Sequence, residues 1–149
     1  MRRFLLAFVS VSAVLVACHG GSPHVPGPCS LFRPADVRQT TASAVVAVRN
    51  VPSIKSNRIR LCSYETTGPF GAVVVSVTDS PTPTTLAHFT HPDQNTQLVR
   101  GLGDGAYVYG GNSLFVHRGD IYFVLGTQYY QPDSPHILEA LARLALRRL

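Results

Sequence analysis

Cysteine and lysine are scarce in this chain, and no run of basic residues is interleaved with aromatic residues. Its 149 residues contain three cysteines, and Lys55 is the single lysine among thirteen basic residues. The arginines are scattered and are not interleaved with aromatic residues, so we expect no nucleic-acid partner. The chain also lacks a Gly-x-Ser-x-Gly motif, which excludes the nucleophile elbow of α/β-hydrolases.

The bulk composition predicts one small globular domain. Hydrophobic residues make up 45% of the chain and charged residues 14%, which is a globular rather than a disordered balance. The sequence contains no internal repeat, and its length suits a single domain with one modest core.

The first seventeen residues resemble a secretory leader. Arg2 and Arg3 precede an unbroken apolar or small stretch, residues 4–16, which matches the charged and hydrophobic regions of a signal peptide. As a helix this stretch would be about 20 Å long, too short for a hydrocarbon layer of about 30 Å. We therefore expect residues 1–17 to be removed, which lowers the net charge from +5 to +3.

Cys18 follows this leader within the sequence Leu15-Val16-Ala17-Cys18, which resembles a bacterial lipobox. Ordinary signal peptidase requires a small residue where Leu15 stands, whereas a lipobox cysteine receives a diacylglyceryl group on sulfur and becomes the new N-terminus. Two or three acyl chains make such anchoring effectively permanent. We predict lipidation of Cys18, export, and attachment to the outer surface of the cell membrane; the alternative is a buried or free thiol.

The two remaining cysteines, Cys29 and Cys62, form an even set in an oxidising compartment, so we expect them to pair. Closing a loop of this length contributes roughly 3.5 to 4 kcal/mol of stability in the simple chain model; the alternative is two buried free thiols. Residues 19–28 contain three glycines, three prolines and no charge, so residues 18–28 are expected to form a flexible tether. The globular domain is then predicted to span residues 29–149.

Turn residues and hydrophobic periodicity predict an α+β domain. A short helix is expected from Pro34 to about Thr40, a second around residues 85–89, and a longer one from Ser134 with Ser134 at its N-cap. We predict a largely antiparallel sheet of five to six strands, packed on one face by the short N-terminal and the longer C-terminal helix. The β-rich runs are residues 44–48, 59–64, 72–77, 106–109, 114–117 and 121–125. The tight-turn sequences GGNS and RGD separate the last three runs and predict a meander. In the last helix, apolar residues recur at three- and four-residue intervals and predict one apolar stripe, formed by Leu138, Leu141, Ala142, Ala145 and Leu149.

Short motifs along the mature chain carry a family resemblance. They are the lipobox, PCSLFRPADV with Cys29, CSY with Cys62, GLGDGAYV, LFVHRGDIYFV and LARLALRRL. Together they resemble a family of small secreted actinobacterial lipoproteins classed as a domain of unknown function. The resemblance implies an exported lipoprotein with one disulfide and brings no catalytic residues. The chain departs from that pattern at Arg33, where such proteins often carry threonine.

Aromatic residues are concentrated in the second half of the predicted sheet. Alternation places Tyr107 and Tyr109 on one face of their strand and Ala106 and Val108 on the other. Most of the neighbouring aromatic residues are expected in the core or at its rim. Tyr107 and Tyr109 are therefore a candidate binding surface for a protein or an apolar ligand.

Two turn motifs have an ordinary structural explanation beside a functional one. Residues 118–120, Arg-Gly-Asp, match an integrin-binding tripeptide, but the same residues suit a tight hairpin turn. Residues 101–105 are rich in glycine, but they precede a strand rather than a helix, so no phosphate-binding helix terminus follows. In that turn, Asp104 is expected to accept backbone hydrogen bonds.

The histidines offer a weak metal motif. His88, His91 and Asp93 have a spacing that would suit a helix, but Pro92 interrupts that helix and no third strong ligand is fixed by the spacing. Histidines in an exposed loop are the simpler explanation. We therefore predict no metal site and no cofactor.

Two classes of function remain after these considerations. The leading hypothesis is a non-catalytic, membrane-anchored envelope lipoprotein that binds a protein or an apolar ligand. The alternative is an envelope or cell-wall enzyme whose site is assembled from dispersed residues, with Asp104, Asp120 and the histidines as candidates.

Overall fold

A computed structural model describes residues 25–51 and 59–149 of the chain. The predicted leader, Cys18 and the tether before Val25 lie outside the described residues, as does most of the turn expected between the first two strands. Among the described residues, no helix has the length and apolar character needed to cross a membrane.

The described residues form one seven-stranded antiparallel sheet with three α-helices, which confirms the α+β class. The strand count of five to six was wrong, because a short seventh strand, Thr96–Leu98, pairs with the edge of the predicted meander. The helices are α1 (Pro34–Thr41), α2 (Pro83–Thr90) and α3 (Ser134–Leu146). The strands are β1 (Val45–Val51), β2 (Arg60–Thr66), β3 (Ala72–Thr78), β4 (Thr96–Leu98), β5 (Gly105–Tyr109), β6 (Ser113–Arg118) and β7 (Ile121–Thr127).

The strand order is β1-β2-β3-β7-β6-β5-β4. Strands β5, β6 and β7 form the predicted meander, joined by two tight turns. Strand β3 is flanked on both sides, as its valine-rich sequence indicates, although the middle position belongs to β7. Strand β4 lies at the edge of the sheet and is held there by backbone pairing with β5. Its sequence has no alternating apolar pattern, so the strand could not be predicted from the sequence.

The main core lies between one face of the sheet, here called the core face, and the helices α1 and α3. The apolar stripe predicted for α3 is buried there, since Leu138, Leu141, Ala142 and Ala145 are all inaccessible to solvent. Burying apolar surface stabilises a fold by about 25 cal/mol per Å². Because most of the buried apolar side chains lie on the core face, this face supplies most of the hydrophobic stabilisation. The sheet residues of the core face include Tyr64, Val73, Val75, Val77, Val108, Leu114, Val116, Phe123 and Leu125.

Helix α1 begins at Pro34, as predicted, in spite of an arginine at its N-cap. Asp36 compensates for Arg33, because its carboxylate accepts a 2.6 Å hydrogen bond from the Arg33 backbone N–H. Arg148 of α3's C-terminal end donates to the same carboxylate at 2.8 Å. The Arg148 hydrogen bond and the Arg33 backbone bond hold the pKa of Asp36 below its usual value. One carboxylate therefore caps α1 and ties it to α3.

Helix α3 begins at Ser134, but the cap differs from the prediction. Asp133 occupies the N-cap and Ser134 is the first helical residue. The buried Ser134 hydroxyl accepts a hydrogen bond from the Gln131 backbone N–H at 2.9 Å. The hydroxyl thus closes the preceding turn rather than the helix end.

Cys29 and Cys62 form a disulfide across a sequence separation of 33 residues, which confirms the predicted pairing. Cys62 is fully buried on β2, and Cys29 lies in a short 3-10 helix, Pro28–Ser30. Two residues further along β2, the Tyr64 hydroxyl donates to the carbonyls of Phe32 and Cys29 at 2.9 and 3.2 Å. The start of the domain is therefore fastened to β2 by a covalent bond and two hydrogen bonds.

Replacing both Cys29 and Cys62 by alanine should lower the free energy of unfolding by about 3 to 4 kcal/mol, because the denatured chain regains the entropy of the open loop. Urea unfolding of the oxidised parent and the double variant measures the difference. The parent under reducing conditions is the control and should approach the variant. A loss below about 1 kcal/mol would contradict the chain-entropy explanation.

Candidate functional site

The second face of the sheet, here called the outer face, carries a row of large apolar side chains next to small hydroxyl residues. Tyr107 of β5, Phe115 of β6, Val124 of β7 and Ser76 of β3 are direct cross-strand neighbours. Tyr107 and Phe115 stack with their ring centroids 4.6 Å apart and their planes nearly parallel. The outer-face side chains therefore become smaller along this row, from rings on β5 and β6 to a serine on β3.

Helix α2 crosses this outer face and is attached mainly through Phe89. The Phe89 ring meets the edges or faces of three sheet rings, with centroid distances of 4.8 Å to Tyr107, 4.7 Å to His117 and 6.2 Å to Tyr122. The Tyr107 hydroxyl also donates to the Thr85 carbonyl at 3.4 Å. Such aromatic pairs add about 0.5 to 1.5 kcal/mol beyond the area that they bury.

A cavity of about 200 Å³ lies between α2 and the small-residue side of the outer face. Phe115, Val124 and Ser76 contribute to it from the sheet, and Thr85 and Phe89 from the helix. None of the described residues that line the cavity is charged. The remaining lining residues are Ile59, Thr78, Ser80, Pro81, Thr82, Val116, Tyr122 and Phe123.

A second, shallower depression lies on the other side of α2, around His88. The His88 ring is 5.6 Å from the Tyr107 ring and 5.5 Å from the Tyr109 ring, measured between centroids. Its Nδ1 is 4.0 Å from an Asp93 carboxylate oxygen and 3.4 Å from the Thr96 hydroxyl. These contacts join the C-terminal end of α2 to β4 and β5.

Burial and charge shift the acidity of two groups beside this depression. Burial, followed by the nearby charges of Asp93 and Tyr109, raises the pKa of Tyr107 to about 12. The Thr96 hydroxyl donates to Asp93 at 2.7 Å and is the main reason why the pKa of Asp93 lies below its usual value. Tyr107 is therefore a neutral hydroxyl, and Asp93 a carboxylate, at physiological pH.

The two tyrosines predicted as a binding surface lie on the same face, but their exposure differs. Tyr107 is 1% exposed because α2 covers it, whereas Tyr109 is 38% exposed. The open aromatic surface at this position therefore belongs to Tyr109 and not to Tyr107. Ala106 and Val108 face the main core, as alternation required.

The structure brings together two of the three residues in the weak metal motif. His88 and Asp93 are neighbours, but His91 is oriented towards the Thr90 hydroxyl, with which its Nδ1 makes a 2.8 Å contact. Within residues 25–51 and 59–149, no group of three or more metal-ligating side chains is present.

The two turn motifs lie together at one end of the sheet. The Asp104 carboxylate accepts a 2.6 Å hydrogen bond from the Gly119 backbone N–H, and the Arg118 guanidinium donates to the Leu146 carbonyl of α3, also at 2.6 Å. Gly103 has a positive φ of 62°, and a side chain there would overlap the His117 carbonyl oxygen. Both motifs are thus used in joining the turns to each other and to α3.

Sequence reasoning missed Ser76, Thr78 and Phe89 as members of one site. Ser76 and Thr78 are small polar residues on the outer face of the valine-rich strand β3. Their small side chains were the available sequence signal for a cavity at this position. Phe89 stands in a helix that was expected, but nothing in the sequence indicates which strands that helix crosses.

No family model, no curated protein and no solved structure matches this chain.

Replacing Phe89 by alanine should lower the free energy of unfolding by about 2 kcal/mol, since the helix loses its three ring contacts. Leu86 of the same helix is 42% exposed, so Leu86→Ala is a matched control and should change stability by less than about 0.5 kcal/mol. Denaturant unfolding of both variants measures the difference. Equal effects would contradict the role of Phe89 as the main attachment of α2.

Proposed function

We propose that the protein is a non-catalytic binding protein for a small, neutral, apolar ligand, which occupies the cavity between α2 and the outer face. The observation that carries this proposal is the cavity itself, which is lined by aromatic and aliphatic side chains and by no charged residue among those described. Pockets of this composition bury apolar ligands and use a few polar groups to orient them.

The size of the cavity limits the ligand. A cavity of about 150 Å³ lined by apolar side chains is large enough to hold benzene. The 200 Å³ available here therefore accommodates a single aromatic ring with a substituent or part of one alkyl chain. A larger ligand would extend out of the cavity past the first residues of α2.

Hydroxyl groups in the lining suit a ligand with one polar atom. Ser76 is paired through its backbone with β2 and β7, but its side-chain hydroxyl makes no hydrogen bond to another described residue and is available to a ligand oxygen. By contrast, the Thr82 hydroxyl caps α2 by accepting from the Thr85 backbone N–H, and the Thr78 hydroxyl accepts from the Ser80 backbone N–H. A neutral alcohol or a related molecule fits this arrangement.

The enzyme hypothesis has less support from the geometry. Its candidate residues do not line the cavity: Asp104 is engaged by Gly119, and His88 and Asp93 lie on the other side of α2. A general acid and a general base would have to converge on one reacting group. The dispersed residues named for this hypothesis are spread over two regions of the domain.

We further propose the cellular setting that the sequence predicts: an exported lipoprotein of the family described above, anchored to the outer surface of the cell membrane through Cys18. The mass of the protein purified from native membranes should then show Cys18 as the first residue with a diacylglyceryl group attached. Cys18→Ala should abolish both the acyl mass and membrane retention. An unmodified amino terminus at another residue would contradict the proposal.

Photo-labelling with a neutral medium-chain alkyl alcohol that carries a diazirine tests the cavity. The parent should be labelled on peptides that contain Phe89, Phe115 or Tyr122. Ser76→Leu should reduce this labelling at least about tenfold, because the larger side chain fills the cavity and removes the free hydroxyl. Peptide mapping by mass spectrometry locates the label, so probe bound near the lipid anchor does not interfere.

Ser63→Leu is the matched control, since Ser63 lies on the outer face of β2 but outside the cavity. This variant should be labelled like the parent. Labelling that is spread over the surface, or that is equal in the Ser76 and Ser63 variants, would contradict a ligand site under α2.

A further inference from the structure

The arginines of the domain are concentrated at one end of the sheet. This end, here called the arginine end, contains the beginning of β2, the end of β3, the β4–β5 and β6–β7 turns, the beginning of α1 and the C-terminal end of α3. Seven of the nine described arginines belong to it, and all seven are exposed: Arg33, Arg60, Arg100, Arg118, Arg143, Arg147 and Arg148.

The charge of this end differs in sign from that of the remainder. Only four carboxylate side chains accompany the seven arginines, namely Asp36, Asp79, Asp104 and Asp120. The remainder of the described domain has two arginines and four acidic residues: Arg38, Arg49, Glu65, Asp93, Asp133 and Glu139. The domain is therefore electrically polarised along the strand direction.

Most of the arginine contacts at this end leave the positive charge unneutralised. Arg60 donates to the Val25 carbonyl at 3.1 Å and Arg118 to the Leu146 carbonyl at 2.6 Å. These bonds to neutral oxygens hold the guanidinium groups in place without cancelling their charge. Arg148 and Arg143 do form ion pairs, with Asp36 and Glu139 respectively.

The chain enters the described domain at the same end. Val25 is the first described residue and is bound by Arg60 there. Val25 is seven positions after Cys18 in the sequence, which limits the distance between their Cα atoms to about 25 Å. A seven-residue strand is itself about 23 Å long. If the opposite end of the sheet faced the membrane, the tether would need nearly its full length to run alongside the domain.

We propose that the arginine end is a docking surface for a membrane that contains anionic phospholipid. This inference rests on the proposed lipid anchor at Cys18 and adds an orientation: guanidinium groups contact headgroup phosphates, and the sheet stands with its strands directed away from the bilayer. Each arginine near an anionic surface strengthens the attachment at physiological ionic strength. Ile59, Thr78, Ser80 and Pro81 of the cavity lining lie at this same end, so the cavity would open towards the membrane.

The opposite end offers a competing surface with a different chemistry. Tyr129 and Tyr130 are exposed there, by 55% and 59%, and exposed tyrosines also suit a membrane interface. Asp133 follows these tyrosines at the beginning of α3, whereas Asp120 lies in the β6–β7 turn of the arginine end. The two aspartates therefore mark opposite ends of the domain and are matched in charge.

Energy transfer from a fluorophore to acceptors in the lipid headgroups tests the orientation. The full chain, with acylation of Cys18 verified by mass, is reconstituted in vesicles of phosphatidylglycerol and phosphatidylcholine. The fluorophore is attached to Asp120→Cys or to Asp133→Cys, and the oxidised parent without an added cysteine gives the background. We expect transfer from position 120 to exceed transfer from position 133 at least twofold, and the excess to fall at about 1 M salt, where screening acts over about 3 Å.

Arginine substitutions distinguish an orientation that is caused by charge from one that is caused by the short tether. Arg100→Gln together with Arg147→Gln should reduce the excess in anionic vesicles, while Arg38→Gln, outside the arginine end, should not. Vesicles of phosphatidylcholine alone should also show a smaller excess. Equal transfer from the two positions, greater transfer from position 133, or an excess that is independent of charge would each overturn the proposal. Because acylation is verified beforehand, these outcomes do not depend on the test of the anchor.

Discussion

The sheet presents apolar side chains on both faces, and within residues 25–51 and 59–149 two α-helices cover one face and a short one covers the other. Helices α1 and α3 seal the core face, where their side chains meet a continuous layer of valine, leucine and aromatic residues. Among the described helices, the outer face is covered by the eight residues of α2, none of which is buried. Since α2 is short, its position depends on Phe89 and the rings that surround it. The cavity exists because this helix covers the outer face without filling the space above Ser76 and Val124.

The N-terminal segment of the domain is fastened to both the sheet and α3. The disulfide, the Tyr64 hydroxyl bonds and the Asp36–Arg148 pair all connect the N-terminal segment to β2 and α3. The same segment leads to the predicted lipid anchor. A domain fastened next to the proposed attachment point would transmit orientation to the whole sheet, whereas the eight-residue helix α2 on the other face has no buried residue and is less restrained than α3. This combination is compatible with the proposed binding of a neutral ligand near a membrane surface.

Local patterns in the sequence predicted most of the elements. The turn residues around positions 110 and 119 specified the meander, the leucine stripe specified α3, and Pro34 specified the start of α1, because these signals act over a few residues. Sequence patterns did not predict features that are stabilised by residues far away in the sequence. Strand β4 owes its existence to pairing with β5, and the start of α1 is satisfied by Asp36 and not by the side chain of an N-cap residue. Tyr107 was expected to share an open surface with Tyr109, but burial by α2 depends on a contact from Phe89, eighteen residues earlier.

The sequence alone determined the class of fold, the pairing of Cys29 with Cys62 and the face on which Tyr107 and Tyr109 lie, because each of these follows from residue type and short-range alternation. Only the tertiary structure decided which side chains surround the cavity, since Ser76, Phe89 and Phe115 come from three separate elements. It also decided the charge asymmetry. The arginines are scattered along the chain, but antiparallel strands and helices return to the same end of the sheet repeatedly, and this folding brings positions 33, 60, 100, 118 and 147 together.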